Sequence, residues 1–477
     1  MDPQMHPSSD FLYPAPSVDK LKDIYAGKSL HDIPTPAAII DVAKARRNCD
    51  QMRQAARVLN VAFRPHVKTH KTDELTCLQL GIRRAQPNPF EALKDRSVGL
   101  VVSTLAEAEH LLPLLREFPS DTEDIEIVYG VPLAPSNIPR LFTIAQRLSN
   151  GHIGVLIDHP SQLLELIKYK PDEGSDVCLR LHIKLDTGYH RSGVDPLESD
   201  ELTDLLPVIK AAEASKNGRL AGFYSHAGHS YGGDSPAAAM DLLIQELKNS
   251  EAAAERVLKD VYFANRRLKV SVGATPTATS AQNFSLRDVE VQTSTLISTI
   301  ERMQKKVDVD LHAGVYTLLD LQQLATHARP EVLPNDANYH SLSTSNIALT
   351  ILVEVASLYP KRSKPEALIA AGNLALGREP CKAYPGWGVI TPWNMTEGYT
   401  SYLEGGNGWI VGRISQEHGI LSWEGSGEAH ELEVGKKLRV WPNHACIAGA
   451  GFGWYFVVDS DLDPDRIVDI WVRWRGW

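Results

Sequence analysis

From residue 62 onward the chain alternates short β-branched runs with longer stretches of helical periodicity, and this alternation limits the fold more than any other feature. Eight such runs stand at 62–67, 100–102, 125–129, 154–157, 177–184, 220–225, 268–272 and 307–311. Strands separated by helices pair in parallel, because each crossover returns the chain to the same end of the sheet. Eight is the number that closes a barrel. The connecting stretches carry helix starts of their own: Thr104 and Glu107 form a capping-box pattern that opens a run through Leu115. The expected class is α/β, a (β/α)8 TIM-like barrel.

After about Pro334 the pattern changes to short strand-like runs at 348–359, 409–414, 437–441, 454–458 and 467–472, separated by Gly, Pro and Asn. That pattern predicts a C-terminal all-β domain packed on the barrel. The expected division is 1–34 as an N-terminal extension, 35–335 as the barrel and 336–477 as the β domain. The aromatic segment 381–408 reads either as a plain insertion or as a loop over a site.

Composition narrows the partners. The net charge is -10, from 49 basic and 59 acidic residues with no basic stripe, which speaks against nucleic acid and anionic membranes and for a small molecule. Five cysteines at irregular spacings with no CxxC pair suit a reducing compartment. The first thirty residues hold no signal-like apolar stretch and no 18-residue apolar run occurs, so the expected location is the cytoplasm.

In a parallel barrel the chemistry sits where strands end, so those residues carry the functional reading. Lys68 follows the first strand among His66, His70 and Lys71, either as an amine able to form an imine or as part of a solvated basic loop. The run Ser271-Val-Gly-Ala-Thr-Pro-Thr277 has a glycine, backbone donors and two hydroxyls, the equipment for a phosphate, although short Gly/Thr turns are also ordinary connections. Arg191 either bonds an anionic oxygen or pairs with Asp186. Tyr224, His226 and Tyr231 either line a flat ring or pack the core. Near the chain end, His444 and Cys446 share a face if they lie on a strand; imidazole plus thiolate favours zinc, the alternative being a buried cysteine beside a hydrogen-bonded histidine. Glu417 and His418 are candidates for groups behind such a metal.

These stretches, together with Thr35-Pro36, His66-Val-Lys-Thr-His-Lys-Thr72, Ser103-Thr-Leu-Ala-Glu-Ala-Glu109, Lys184-Leu-Asp-Thr-Gly-Tyr-His-Arg191, Tyr224-Ser-His-Ala-Gly-His-Ser-Tyr231 and Pro442-Asn-His-Ala-Cys446, occur in a fixed order over nearly the whole chain. In that order they resemble the fold-type III pyridoxal-phosphate enzymes, the alanine racemase-like barrel group. Within it the resemblance is to D-serine dehydratases and D-threonine aldolases. It implies that Lys68 holds pyridoxal 5'-phosphate as an imine, that Thr275 and the backbone near Gly273 bind its phosphate, and that Tyr224 and Tyr231 line the cofactor. It also places His226 against the ring, Arg191 at the phenolic oxygen and His312 at the pyridine nitrogen, where racemases have an arginine. The aldolases carry His-x-Asp and the dehydratases His-x-Cys, so His444 and Cys446, as zinc ligands, fit a dehydratase.

The implied activity is zinc-assisted β-elimination of D-serine to pyruvate and ammonia, by a homodimer. Two alternatives are retro-aldol cleavage of D-3-hydroxy amino acids, and a non-catalytic carrier of the cofactor, as in single-domain barrels of the group.

Overall fold

The computed structural model describes residues 15–331 and 341–477, other than residues 95, 149, 150, 173, 175, 198, 199 and 285. The first strand, β1 (Ala37–Asp41), ends in Asp41, whose carboxylate accepts the Ala43 and Lys44 amides at 3.2 and 3.4 Å and so caps the helix Val42–Val58. That helix leads into β2 (Ala62–Pro65). There follow β3 (Ser97–Val102), β4 (Asp124–Pro132), β5 (Gly151–Ile157), β6 (Leu179–Lys184), β7 (Gly218–Tyr224), β8 (Lys269–Val272) and β9 (Asp308–Ala313).

These eight strands form one parallel sheet in the order β2-β9-β8-β7-β6-β5-β4-β3, and a bridge between His66 and Val101 joins its two edges into a barrel. Each expected run overlaps one of them. The predicted helix start also holds in part: Thr104 Oγ1 accepts the Glu107 amide at 3.2 Å, while the Glu107 carboxylate reaches back to the Ser103 amide at 2.7 Å.

The second sheet contains β10 (Leu349–Tyr359), β11 (Glu366–Ile369), β12 (Gly388–Ile390), β13 (Gly408–Ile414), β14 (Gly419–Glu424), β15 (Lys437–Pro442), β16 (Trp454–Asp459) and β17 (Asp463–Val472). Its order is β11-β14-β13-β12-β15-β10-β1-β16-β17, with β11 also pairing with β10, so part of it curls into a second, mostly antiparallel barrel-like body. The expected boundaries put 37–41 with the first barrel. Instead β1 lies between β10, antiparallel, and β16, parallel, with all five residues buried. A short strand buried on both faces needs a neighbour on each edge, and only the second sheet has that slot. The strands β11, β12 and β14 are absent from the sequence reading; β11 and β12 are only four and three residues long, and β12 lies within the segment 381–408.

The first barrel is filled partly by charge. Arg64 bonds Glu126 at 2.9 Å and Asp310 at 2.7 Å, and His182 bonds Glu126 at 2.8 Å; all four residues are buried. Side chains repeat inward every second residue, so His66, Lys184 and His312, two positions beyond Arg64, His182 and Asp310, face the carboxyl end of the same interior. The ionic layer is therefore the floor of whatever lies there. Arg64→Ala leaves Glu126 and Asp310 without their principal cation and is expected to cost about 3–5 kcal/mol of stability, read as a fall in the urea midpoint. A loss under about 1 kcal/mol would mean that the layer reorganises around water.

Candidate active site

At the carboxyl ends of the barrel strands lies a cavity of about 420 Å³. Lys68, Arg191, Tyr224, His226, Tyr231, Thr275 and His312 all border it. Gly273 joins them through its carbonyl oxygen, which accepts from His226 Nδ1 at 3.0 Å. A larger cavity of about 730 Å³ opens at the opposite end, among the starts of β2, β3, β8 and β9, away from where barrel chemistry is built.

Lys68 stands on a single turn, Val67–Thr69, directly after β2. His66 Nδ1 accepts the Lys68 amide at 3.4 Å and its Nε2 lies 3.3 Å from Ser103 Oγ. Burial, then the Lys68 charge, hold the His66 pKa well below the usual histidine range, so the ring is neutral. With Nδ1 accepting, Nε2–H donates to Ser103. Behind the turn, Lys71 pairs with the buried Glu107 at 2.8 Å, and Glu107 holds the Ser103 amide. The turn that carries Lys68 is thus held from both sides, by His66 with Ser103 and by Lys71 with Glu107.

Across the cavity, Tyr224 and His312 stack at 4.2 Å with an 11° angle, and His226 lies parallel to His312 at 6.3 Å. Burial is also the first cause that depresses His226 and His312, followed by Lys68 for the former and Arg64 for the latter. Three neutral imidazoles therefore border a pocket that Lys68 and Arg191 also line, a setting for an anion. Lys184 is lowered to about 8, by burial first and then by Arg191, and it donates to the Leu185 and Ser192 carbonyls at 2.6 and 3.3 Å, stapling the loop that carries Arg191. Arg191 lies over the Tyr189 ring at 5.4 Å, and Asp186 instead takes His190 at 3.1 Å, so the alternative of an Asp186–Arg191 pair is not the one adopted. A buried carboxyl, Glu246, raised to about 7 by burial, accepts from Ser225 at 2.8 Å beneath the His226 loop.

Two features fit a flat, anionic ring. His312 Nδ1 lies 3.0 Å from Ser271 Oγ, while its buried Nε2 has no partner among the described residues. Gly273 has φ +142°, and a Cβ there would sit 2.3 Å from the His312 carbonyl oxygen, so only glycine lets the chain pack this close to β9 just before Thr275. Thr275 opens the helix Thr275–Ser280, and its hydroxyl accepts the Val315 amide at 3.2 Å.

The β domain contributes the other pair. Cys446 Sγ lies 3.2 Å from Thr69 Oγ1, on the Lys68 turn. His444 and Cys446 do not share a strand: β15 ends at Pro442, and His444 is the N-cap of the short helix Ala445–Ala448. The two side chains nonetheless meet at the start of that helix. Burial opposes charge on both, yet the sulfur raises His444 and the imidazolium lowers Cys446, so the two form a thiolate–imidazolium pair whose imidazole must give up its proton before the pair can hold a metal. Among the described residues no group of three or more His, Cys, Asp or Glu could hold a metal, so any ion on this pair would need further ligands. Glu417 and His418 are exposed in the turn between β13 and β14. The groups behind His444 are Gln322, bonded to its Nδ1, and Asp320, which accepts the Ala445 amide at 2.8 Å. No local pattern around either residue signals that role.

A parallel barrel with a strand-end lysine, joined to a separate β domain, defines an alanine racemase-like protein. The family model for the alanine racemase N-terminal domain matches residues 40–289, and the alanine racemase of Bacillus anthracis, at 14% identity and a TM-score of 0.53 over 92% of this chain and 97% of that one, shares the fold. A second model, described as a putative serine dehydratase domain, matches residues 348–458. The D-serine dehydratase of Schizosaccharomyces pombe is 34% identical over 96% of both chains, and that of Saccharomyces cerevisiae 34% identical over 95% of this chain and 98% of its own. D-threo-3-hydroxyaspartate dehydratase from Delftia sp. superposes with a TM-score of 0.68 at 27% identity, covering 94% of this chain and all of that one. The chain belongs to the D-serine dehydratase family.

Proposed function

We propose that the protein eliminates the β-hydroxyl of D-serine, giving pyruvate and ammonia. The observation that carries this reading is the meeting of two machineries at one turn: Lys68 borders the cavity, and its neighbour Thr69 bonds Cys446 of the metal pair at 3.2 Å. Lys68 would hold pyridoxal phosphate, with Gly273 and Thr275 at the phosphate, Tyr224, Tyr231 and His226 along the ring, Arg191 at its phenolic oxygen and His312 Nε2 at its nitrogen. His312 is neutral, so it can donate to or accept from that nitrogen without adding charge.

When bound, the cofactor supplies an electron sink for the charge left on the substrate α-carbon. Lys68 Nζ takes the α-proton; standing on one side of the cavity, it selects the D-enantiomer without a second base. His444 and Cys446 would hold a zinc ion, which supplies a Lewis acid for the departing hydroxyl. A cysteine-to-alanine variant of a D-threo-3-hydroxyaspartate dehydratase has been solved in a metal-free form, at a TM-score of 0.69 and 26% identity, which supports metal binding in the related fold.

Incubation with D-serine, L-serine, D-threonine and D-threo-3-hydroxyaspartate is expected to yield pyruvate and ammonia from D-serine and nothing from L-serine, measured by lactate dehydrogenase coupling. Glycine and an aldehyde from D-threonine would instead establish retro-aldol cleavage, and no turnover of any substrate would leave a cofactor carrier. The proposed setting is a cytoplasmic homodimer. Five unpaired cysteines suit a reducing compartment, and no helix among the described residues is long and apolar enough to cross a membrane.

A further inference from the structure

We propose that Gln322 is a positioning residue for the metal pair: it fixes the His444 ring so that Nδ1 carries the proton and Nε2 is the nitrogen offered to zinc, an inference that rests on the zinc reading above. The direction of each hydrogen bond follows from its neighbours. Gln322 Nε2 donates to the Pro380 carbonyl oxygen at 2.8 Å. A carbonyl oxygen only accepts, so that end of the amide is its NH2 group, and the flipped amide would set oxygen against oxygen. The other end, Oε1, therefore faces His444 Nδ1. An amide oxygen also only accepts, so Nδ1 must bear hydrogen, and the lone pair of the neutral ring lies on Nε2.

The bracket that holds Gln322 is rigid. Its backbone amide donates to the Asn443 carbonyl at 3.0 Å, next to His444 itself. It lies in the helix Leu321–Leu324, whose N-cap, Asp320, binds the Gln323 amide with one carboxylate oxygen and the Ala445 amide with the other, at 2.9 and 2.8 Å. The Asn443 side chain donates to the Glu379 and Gly386 carbonyls, both at 2.8 Å. The start of the segment 381–408 and the residues just before it thus close on Gln322 and Asn443 together, which gives that segment a structural task at the site. Gln322 is set against His444 before any metal arrives.

The test measures zinc affinity on the metal-stripped, cofactor-loaded full chain, by competition with a chromophoric chelator. Gln322→Ala and Gln322→Met are expected to weaken zinc about 10- to 100-fold while the cofactor absorbance stays as in the parent. Gln322→Glu keeps an acceptor facing Nδ1 but gives up the NH2 donor to the Pro380 carbonyl, and is expected to bind zinc about tenfold or more tighter than Gln322→Met. Should Gln322→Ala fail to fold, the contrast between Met and Glu decides. Zinc binding by the Ala or Met variant within about twofold of the parent overturns the proposal, as does a Glu variant as weak as Met, which would reduce Gln322 to packing. A parent that binds no zinc removes the metal reading and this proposal together.

Discussion

Lys68→Ala is expected to lower D-serine dehydration by about ten-thousand-fold or more and to abolish the visible absorbance of covalently held cofactor. Two roles end at once. In the proposed mechanism the amine is both the covalent anchor and the base at the α-carbon; general-base catalysis alone contributes about 10²–10⁴-fold. No other side chain at the cavity can take over both. His66, His226 and His312 are held neutral by burial and neighbouring charge, and each already makes a hydrogen bond that fixes its ring. Arg191 does not deprotonate. The fold should be unaffected, because Val67 and Thr69 flank Lys68 in the buried part of the turn. Measurement of pyruvate release, with the absorbance spectrum and a thermal melt, separates lost chemistry from lost structure. Activity above about one hundredth of the parent would show that another group removes the α-proton.

Cys446→Ala and His444→Ala are each expected to cost about a thousandfold in pyruvate release while the cofactor band persists. Lewis-acid assistance is worth several kcal/mol, and each 1.4 kcal/mol or so is about tenfold in rate. Hydroxide is a poor leaving group, so the loss should fall on turnover more than on substrate binding. Chelation of the parent should reproduce the loss, and added zinc should reverse it; neither treatment should alter the variants further. The structure makes this separable from the Lys68 effect, since the proposed metal pair comes from the β domain and meets the lysine turn through the Thr69 hydroxyl. A stripped protein that retains full activity on D-serine would remove the metal from the reaction.

The barrel was legible because its signals are local. Apolar runs of strand length, helix starts such as Thr104 with Glu107, and polar residues at strand ends all depend on neighbours a few positions away. So did the site: Lys68, Arg191, His226, Tyr231, Thr275 and His312 follow strand runs, Tyr224 lies near the end of one, and all of them border one cavity. The family resemblance then gave each a role that spacing alone left open. His444 and Cys446 were legible by chemistry, but their placement was not; the i and i+2 argument assumed a strand, and the pair sits at a helix start.

What the sequence alone determined is the class of barrel, the identity of the chemical groups and their order along the chain, because backbone periodicity and side-chain chemistry are properties of short segments. What only the tertiary structure decided is who stands behind them. β1 precedes the barrel yet completes the far sheet, since its buried faces fit between β10 and β16. Gln322 reaches His444 across 122 residues, and Thr69 reaches Cys446 across 377. Such contacts leave no periodic trace, because they are fixed by the closure of two sheets against each other and by the need of every buried polar atom for a partner. Lys68 is a basic residue after a strand until that closure places the metal pair beside it.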